Sequence, residues 1–329
     1  GSYEWTIDDD HTAQARVRIS SNGWPVISDS SAANFRIHGS VDLTSPDGGE
    51  RWVATSERNI TWTSAATIPQ VKLEYSINNG GSWNPVAESE GTPNDGIVTN
   101  DGSFTWSVPD IPTPSSSCLV RVCDPVDTAT TDQSAAAFRI VGELAVTAPA
   151  ADARLRIGNT YTLSWTTVGN VSTVNLAYSI DGGTTWRDMT GAVGTATNVA
   201  NNPAQPYPST TMYDWSVPDT VSETAIFRVS DSADASVYAE SGQFSIRSFE
   251  LSAPNGGEHW ERGYTHAINW TSGGTVTPPI RIWYSSDAGA TYNTLITTRS
   301  TDTGTFNWFI DQGVFAPCDN NALIRIVDS

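Results

Sequence analysis

The chain has 329 residues, with 36 acidic and 17 basic side chains and a net charge of −19. This balance excludes a nucleic-acid-binding protein, which needs a basic footprint, and argues against binding to anionic membrane surfaces. No apolar run approaches the roughly 20 residues that span a bilayer. We therefore expect a soluble, self-repelling surface, with binding of extracellular divalent cations as the alternative.

The cysteines indicate neither a disulfide framework nor a zinc site. Cys118 and Cys123 lie on one predicted strand, about 16 Å apart at about 3.3 Å per residue, which is too far for a disulfide. Cys318 has no counterpart in the other copies of the repeat described below. An odd number of cysteines without pairing from repeat to repeat gives no disulfide framework.

The first 38 residues match the second half of a unit that recurs later in the chain. Phe35-Arg36-Ile37 corresponds to Phe138-Arg139-Ile140, which closes a complete unit, whereas the last copy stops after Ile326-Val327-Asp328. A sheet that lacks strands exposes backbone edges. Two explanations stay open: the sequence is a window from a longer array, or subunits complete one another head to tail by strand exchange.

The copies repeat with a period near 100 residues. Pro46, Pro149 and Pro254 are separated by 103 and 105 residues. This period is far longer than a propeller blade and matches an immunoglobulin-like sandwich. The fold class that we predict is all-β, with tandem immunoglobulin/fibronectin-III-like β-sandwich domains of about 100 residues. The predicted domains are the C-terminal half of a repeat at 1–38, full repeats at 39–142 and 143–247, and a repeat lacking its last strand at 248–329.

Within each copy, one strand alternates apolar and polar residues. Alternation places the apolar side chains on a single face, toward a core. The residues concerned are Ile60 with Trp62, Leu163 with Trp165, and Ile268 with Trp270.

A hairpin follows, and its pattern Ser-x-Asp-x-Gly-x-Thr-Trp is complete at residues 179–186. The Ser and Asp side chains can bond backbone N–H groups inside the turn, and Gly supplies the positive φ. The first copy has Asn78 and Ser82 in place of Asp and Thr, and the third ends in Tyr292. The candidate turn residues are Ser76, Asn78, Gly80, Trp83, Ser179, Asp181, Gly183, Trp186, Ser285, Asp287, Gly289 and Tyr292.

This pattern resembles the Asp-box hairpin of sialidases and of many secreted β proteins. The resemblance implies a structural turn that lies away from any active site. Asp boxes of sialidases recur once per propeller blade, at much shorter spacing, so the present spacing rejects a propeller. We therefore predict that Asp181 supports a turn and takes part in no reaction.

An arginine recurs in a later strand, between two inward-facing apolar residues. Its side chain is therefore expected to face outward, where it can pair with acids on neighbouring strands. We predict a structural role on the sheet surface or at an inter-domain contact. The positions are Arg18, Arg121, Arg228 and Arg325.

No constellation in the sequence indicates catalysis. The four histidines do not recur at one repeat position, and none lies beside a plausible nucleophile. We predict no enzyme, no cofactor and no metal site. Calcium at paired acids after the Arg strand is a weaker alternative, since calcium takes six to eight oxygens. The histidines are His11, His38, His259 and His266, and the acids are Asp124 with Asp127 and Asp231 with Asp234.

The longest insertion, residues 188–212, could carry a binding site because loops at a sandwich end tolerate variation. A tolerated surface insertion is the simpler interpretation. The joints between units are short: only Val141-Gly142-Glu143 separates Ile140 from Leu144. Such joints favour a semi-rigid rod over flexibly linked domains.

Taken together, the motifs resemble immunoglobulin-like repeats of the Kre9/KNH type, which occur in large secreted and cell-wall proteins. The motifs are Pro-Asn/Asp-Gly-Gly-Glu-x-Trp, Ile-x-Trp, Tyr-Ser-x-Asp-x-Gly and Gly-x-Phe-x-Trp-x-Val-Pro-Asp. The resemblance implies an extracellular, cell-surface location and a non-catalytic structural role, in a fibre, filament, stalk or surface layer. Self-association or neighbouring repeats are the expected partners. A glycan-binding adhesin, or an accessory region of a secreted glycosidase-type enzyme, is the alternative.

Overall fold

The computed structural model describes residues 1–7, 12–86, 95–111, 115–191, 194–201, 206–313 and 321–328. These residues form β-strands and turns with no helix, which confirms the all-β prediction. No helix that could cross a membrane occurs among them. The chain divides into two compact units, residues 1–143 with 168–171, and residues 144–167 with 172–329. The predicted division at residues 38, 142 and 247 stays a prediction.

Two short hairpin-like pairs form the start of the first unit. β4 pairs antiparallel with β1, and β3 with β2. The side chains of this segment stay largely exposed, including Trp5 and Ile19. The strands are β1 (Thr12–Ala15), β2 (Arg18–Ser20), β3 (Ser28–Ser30) and β4 (Phe35–Ile37).

The rest of the first unit is a sandwich of two sheets. One sheet has the order β11-β7-β5, and the other has the order β10-β8-β12-β14-β6, with β9 and β13 at its margins. The strands are β5 (Ser40–Ser45), β6 (Arg51–Val53), β7 (Glu57–Ala65), β8 (Gln70–Ser76), β9 (Asn84–Pro85), β10 (Ile97–Thr99), β11 (Ser103–Ser107), β12 (Ser115–Cys123), β13 (Thr131–Gln133) and β14 (Phe138–Val141).

The second unit begins with a sandwich of the same topology. Its sheets have the orders β15-β17-β23 and β16-β26-β24-β18-β19. The strands are β15 (Glu143–Ala148), β16 (Arg154–Arg156), β17 (Thr160–Val168), β18 (Thr173–Ser179), β19 (Arg187–Asp188), β20 (Thr190–Gly191), β21 (Gly194–Thr195), β22 (Val199–Ala200), β23 (Ser209–Ser216), β24 (Ser222–Asp231), β25 (Tyr238–Glu240) and β26 (Phe244–Arg247).

The second unit continues with a smaller sandwich of two three-stranded sheets, β27-β28-β31 and β30-β29-β32. We call it the third sandwich. Its strands are β27 (Phe249–Ala253), β28 (Thr265–Ser272), β29 (Ile280–Ser285), β30 (Thr294–Arg299), β31 (Thr305–Phe309) and β32 (Leu323–Val327).

The hydrophobic cores contain the residues that the alternating pattern assigned to the inner face of each strand. In the first sandwich, Ile60 and Trp62 pack with Trp106 in one cluster, and Phe138 and Ile140 of β14 close it from the other sheet. Burial of such side chains contributes about 1.5–3 kcal/mol each. The corresponding positions of the next sandwich are equally buried: Leu163, Trp165, Trp215, Phe244 and Ile246.

Candidate functional site

The three hairpin turns share one hydrogen-bond pattern. Ser179 Oγ donates to Asp181 Oδ1 at 2.7 Å and accepts from the backbone N–H groups of Asp181 and Gly183. Asp181 in turn accepts from the backbone N–H and the Oγ1 of Thr185 at 2.8 and 2.6 Å. The same donors and acceptors recur in the third copy, at Ser285, Asp287, Gly289 and Thr291.

The first copy replaces the carboxylate with an amide and reverses one bond. Asn78 Oδ1 accepts from Ser76 Oγ and from Ser82 N, both at 2.9 Å. Asn78 Nδ2 then donates to Ser82 Oγ at 3.0 Å, where the Asp copies accept a hydroxyl proton. The turn therefore needs an oxygen acceptor at this position, and it does not need a negative charge.

The backbone of each turn enters the left-handed region at two consecutive residues. The glycines have φ between 82° and 90°, and the residues before them are Asn79, Gly182 and Ala288, with φ of 55°, 71° and 56°. Glycine adopts this region without steric cost, whereas alanine does so with strain. The motif therefore has glycine at this position because the turn requires a positive φ there. The glycines concerned are Gly80, Gly183 and Gly289.

Hydrogen bonding to the charged form keeps both turn carboxyls ionised. Bonds from the side chain and backbone of Thr185, and then from Ser179, lower the pKa of Asp181 from 3.8 to about 2. Bonds from Ser285 and Thr291 lower the pKa of Asp287 to about 2 as well. Carboxyl groups with such low pKa values are poor general acids at neutral pH.

The aromatic residue at the end of each hairpin contacts the recurring arginine. The Arg228 guanidinium lies 3.6 Å from the ring centre of Trp186 and 4.9 Å from that of Tyr238. The Arg121 guanidinium lies 4.3 Å from the Trp83 ring. In the third copy the distance from Arg325 to Tyr292 is 5.5 Å.

Arg121 and Arg228 also pair with acids on neighbouring strands, which confirms the predicted pairing for these two copies. Arg228 Nε donates to Glu240 at 2.8 Å, and Arg121 Nε to Glu74 at 2.9 Å. Burial would raise the pKa of Glu74, but bonds from Lys72 and Arg121 outweigh it and hold that pKa below its ordinary value. The sequence predicted that the arginines pair with acids, but it did not predict their contact with the hairpin aromatic residue. The recurrence of both the arginine and the aromatic residue in each copy was the signal available for this contact.

A loop of the third sandwich docks on the sandwich before it, within the second compact unit. Asp219 Oδ2 accepts from the backbone N–H and the Oγ1 of Thr275 at 2.8 and 2.6 Å. Arg156 Nη1 donates to Thr271 Oγ1 at 2.6 Å. Gly273 N donates to Ser248 O at 2.8 Å. We call this set of contacts the joint.

The glycine of the joint is required by close approach. A Cβ added at Gly273 would overlap the carbonyl oxygen of Ile157. Between β26 and β27, only Ser248 connects the two sandwiches, and its side chain is buried. The joint is thus short, packed and hydrogen-bonded, features that the length of the linker in the sequence only suggested.

The third sandwich has an open groove along its core. In the first sandwich, the Phe138 ring packs 4.9 Å from Trp52, and Ile140 pairs with the same tryptophan. Trp260 holds the position of Trp52 and instead stacks on His266 at 4.9 Å. The groove measures about 1480 Å³ and extends to the preceding sandwich of the same unit, which contributes Arg154, Arg156, Glu223 and Arg247; its apolar lining includes Leu251, Trp260, Tyr284, Trp308, Ile324 and Ile326.

The acids weighed as calcium ligands are bonded to other groups of the protein. Asp124 Oδ1 accepts from Val126 N, and Asp231 Oδ1 from Ala233 N. Burial raises the pKa of Asp231. Asp127 forms an ion pair with Arg36, and Asp234 accepts from Ser236. No group of three metal-ligating side chains comes together within the described ranges.

The remaining candidates are dispersed. Cys118 and Cys123 are buried free thiols, and His266 Nε2 lies 2.9 Å from Glu261 O. His11 and Cys318 lie outside the described residues, as do positions 192–193 and 202–205 of loop 188–212. A glycan site on that loop, and the assignment of the hairpins as Asp boxes, stay predictions.

Comparison with known proteins returned similarities to solved structures only; no family model and no curated protein matches. Fibronectin(III)-like modules of Clostridium thermocellum CbhA align at 15% identity and a TM-score of 0.20, over 63% of this chain and 92% of theirs. The I67–I69 fragment of titin aligns at 7% identity and a TM-score of 0.25, over 89% and 94% of the two chains. These overlaps are too weak to say anything about function.

Proposed function

We propose that this protein is a non-catalytic, extracellular structural protein, in which tandem immunoglobulin-like sandwiches build a cell-surface fibre, filament, stalk or surface layer. The joint is the observation that carries the proposal. A mechanical or scaffolding role requires sandwiches that keep a fixed arrangement, and Asp219, Gly273 and Thr275 supply specific contacts for that purpose.

The use of polar side chains supports the same conclusion. Asp181 and Asp287 hold turns together, and Arg121 and Arg228 join a hairpin aromatic residue to an acid on a neighbouring strand. These four charged groups are thereby committed to internal bonds. The net charge of −19 keeps neighbouring surfaces apart except where specific contacts form.

Electron microscopy of the native material tests the proposal. We expect extended rods, fibres or ordered layers with a repeat set by the sandwiches. Native material that contains only isolated globular monomers would contradict it. A glycan array probed with the full chain provides the complementary measurement: selective binding to one glycan class would favour the adhesin alternative over a purely structural role.

A further inference from the structure

Two asparagines lie on the outer face of the middle strand of a three-stranded sheet, Asn59 on β7 of the first sandwich and Asn269 on β28 of the third. We propose that both carry N-linked glycans, attached by a membrane-bound oligosaccharyltransferase. The inference rests on the proposed extracellular function, because this modification is made on secreted proteins.

Each asparagine begins the acceptor sequence Asn-x-Ser/Thr, in which x is not proline. The two sequences are Asn59-Ile60-Thr61 and Asn269-Trp270-Thr271. Their middle residues, Ile60 and Trp270, point into the cores and are 0% and 3% exposed. Because side chains alternate along a strand, the asparagine and the threonine of each sequence share the outer face and lie about 6.6 Å apart.

In both asparagines the amide oxygen is bonded and the amide nitrogen is open. Asn59 Oδ1 accepts from Thr105 Oγ1 at 3.0 Å, and Asn269 Oδ1 accepts from Thr305 Oγ1 at 2.7 Å. Neither Nδ2 has an acceptor among the residues that the structure describes. Asn59 is exposed and Asn269 is half-buried. The atom that would receive the sugar is therefore oriented by its neighbour and not engaged.

The glycosyl donor is an oligosaccharide carried on a polyprenyl diphosphate. Asparagine Nδ2 forms a bond to the anomeric carbon of the first sugar, while the bond from that carbon to the diphosphate oxygen breaks. The diphosphate leaves with the bonding electron pair, and the amide nitrogen releases one proton to the solvent. The products are the glycosylated amide and the free lipid diphosphate, so the transfer needs no further reactant.

A third acceptor sequence, Asn170-Val171-Ser172, lies in the loop between β17 and β18 and differs from the other two. Val171 is 1% exposed, and a Cβ added at Gly142 would overlap its side chain. Asn170 is half-buried and lines a small pocket with Asp110 and Gly142 of the same compact unit. A glycan on Asn170 would disrupt this packing, so we expect that residue to be unmodified.

Both proposed sites lie beside the edge of a sheet. Thr105 is on β11 and Thr305 on β31, and each of these strands is the outermost strand of its sheet. An unpaired edge strand is a template for pairing with another chain. A glycan on the adjacent strand would cover that edge and oppose lateral pairing. In the second sandwich, the corresponding edge strand β23 has β20 beside it.

Glycopeptide mapping of the native protein tests the inference. Electron-transfer fragmentation leaves a glycan on its residue and therefore identifies the modified position. We expect a glycan on Asn59 and on Asn269, and none on Asn170. Asn293 is an internal control, because it is exposed but has no serine or threonine two residues later.

Variants of the full chain, produced in the native host, test whether the acceptor sequence directs the attachment. Asn59→Gln and Asn269→Gln should each lower the mass of the intact chain by one glycan, whereas Asn293→Gln should leave the glycan mass unchanged. Thr61→Val should remove the glycan from Asn59 although the asparagine is intact, and Thr61→Ser should retain it. Circular dichroism of each purified variant shows that the chain is folded.

The outcomes separate this inference from the proposed function. A native protein in which Asn59 or Asn269 is unmodified overturns the inference, and so does a glycan on Asn170 or one that persists at Asn59 in Thr61→Val. Rods, fibres or layers in the native material would in that case leave the structural function standing. Glycans at both asparagines in material that contains only isolated particles would support the inference and contradict the structural assembly.

Discussion

At the scale of single residues, the hairpin turns show which property of the motif matters. Asp181 and Asn78 occupy the same position, and both accept from a serine hydroxyl and a backbone N–H. Only the charged residue makes the turn sensitive to acid. Comparison of these two natural copies therefore distinguishes the contribution of the hydrogen bonds to the turn from the contribution of the negative charge.

Asp181→Ala should destabilise the second sandwich, because it removes the acceptor for Ser179 and Thr185. We expect a fall of a few degrees in the melting temperature, measured by calorimetry. Asp181→Asn is the matched control, since Asn78 shows that an amide can hold the turn. Equal losses in both variants would mean that the charge, and not the bonds, supports the turn.

The pH dependence of the same turn has a defined sign. The pKa of Asp181 is about 2 in the folded protein, below the ordinary 3.8. The unfolded chain therefore takes up the proton first as the pH falls, so the stabilisation is complete above about pH 5 and is lost as the pH falls through about 2. Calorimetry across this range should show a smaller acid-induced loss in Asp181→Asn than in the parent chain; an identical loss would contradict the assignment.

At the scale of elements, the recurring arginine ties a hairpin to the sheet beside it. Arg228 lies between the rings of Trp186 and Tyr238 and also bonds Glu240. A planar guanidinium can stack flat on a ring while its edge pairs with a carboxylate, a combination that the compact ammonium of lysine matches less well. The hairpin is thus held by its own turn bonds and also by this stack.

Arg228→Ala should lower the free energy of unfolding by about 1 kcal/mol, from the lost cation–π contact and ion pair together. Arg228→Lys keeps the charge but loses the stack, and we expect it to recover less than half of the loss. Chemical denaturation of both variants gives the comparison. Unchanged stability and unchanged assembly in Arg228→Ala would refute the structural role.

At the scale of the molecule, the second compact unit combines two sandwiches through the joint. Its side-chain contacts join residues that are more than fifty positions apart, such as Asp219 and Thr275. The close approach at Gly273 leaves no room for a larger residue. The joint therefore depends on the absence of a side chain at Gly273 and on the carboxylate of Asp219.

Gly273→Ala should loosen the joint, because the added Cβ overlaps the carbonyl oxygen of Ile157; overpacking of this kind costs about 1–3 kcal/mol. Spin labels on the two sandwiches of this unit should show a broader distance distribution by pulsed electron paramagnetic resonance. Gly23→Ala is the control, since its Cβ meets nothing within 4 Å. A distribution as narrow as that of the parent chain would show that the joint does not depend on this approach.

The sequence by itself determined the features that depend on neighbours along the chain. Alternation placed Ile60 and Trp62 in the core, and turn chemistry placed the hairpins, because strand period and left-handed glycines are local properties. The repeat length then gave the sandwich class. These predictions needed no knowledge of which strands meet.

Only the tertiary structure decided the features that join distant residues. The stack of Arg228 on Trp186, the docking of Thr275 on Asp219 and the groove beside Trp260 all depend on which elements lie side by side. Such contacts arise from packing across sheets and between sandwiches, and no local pattern encodes their geometry.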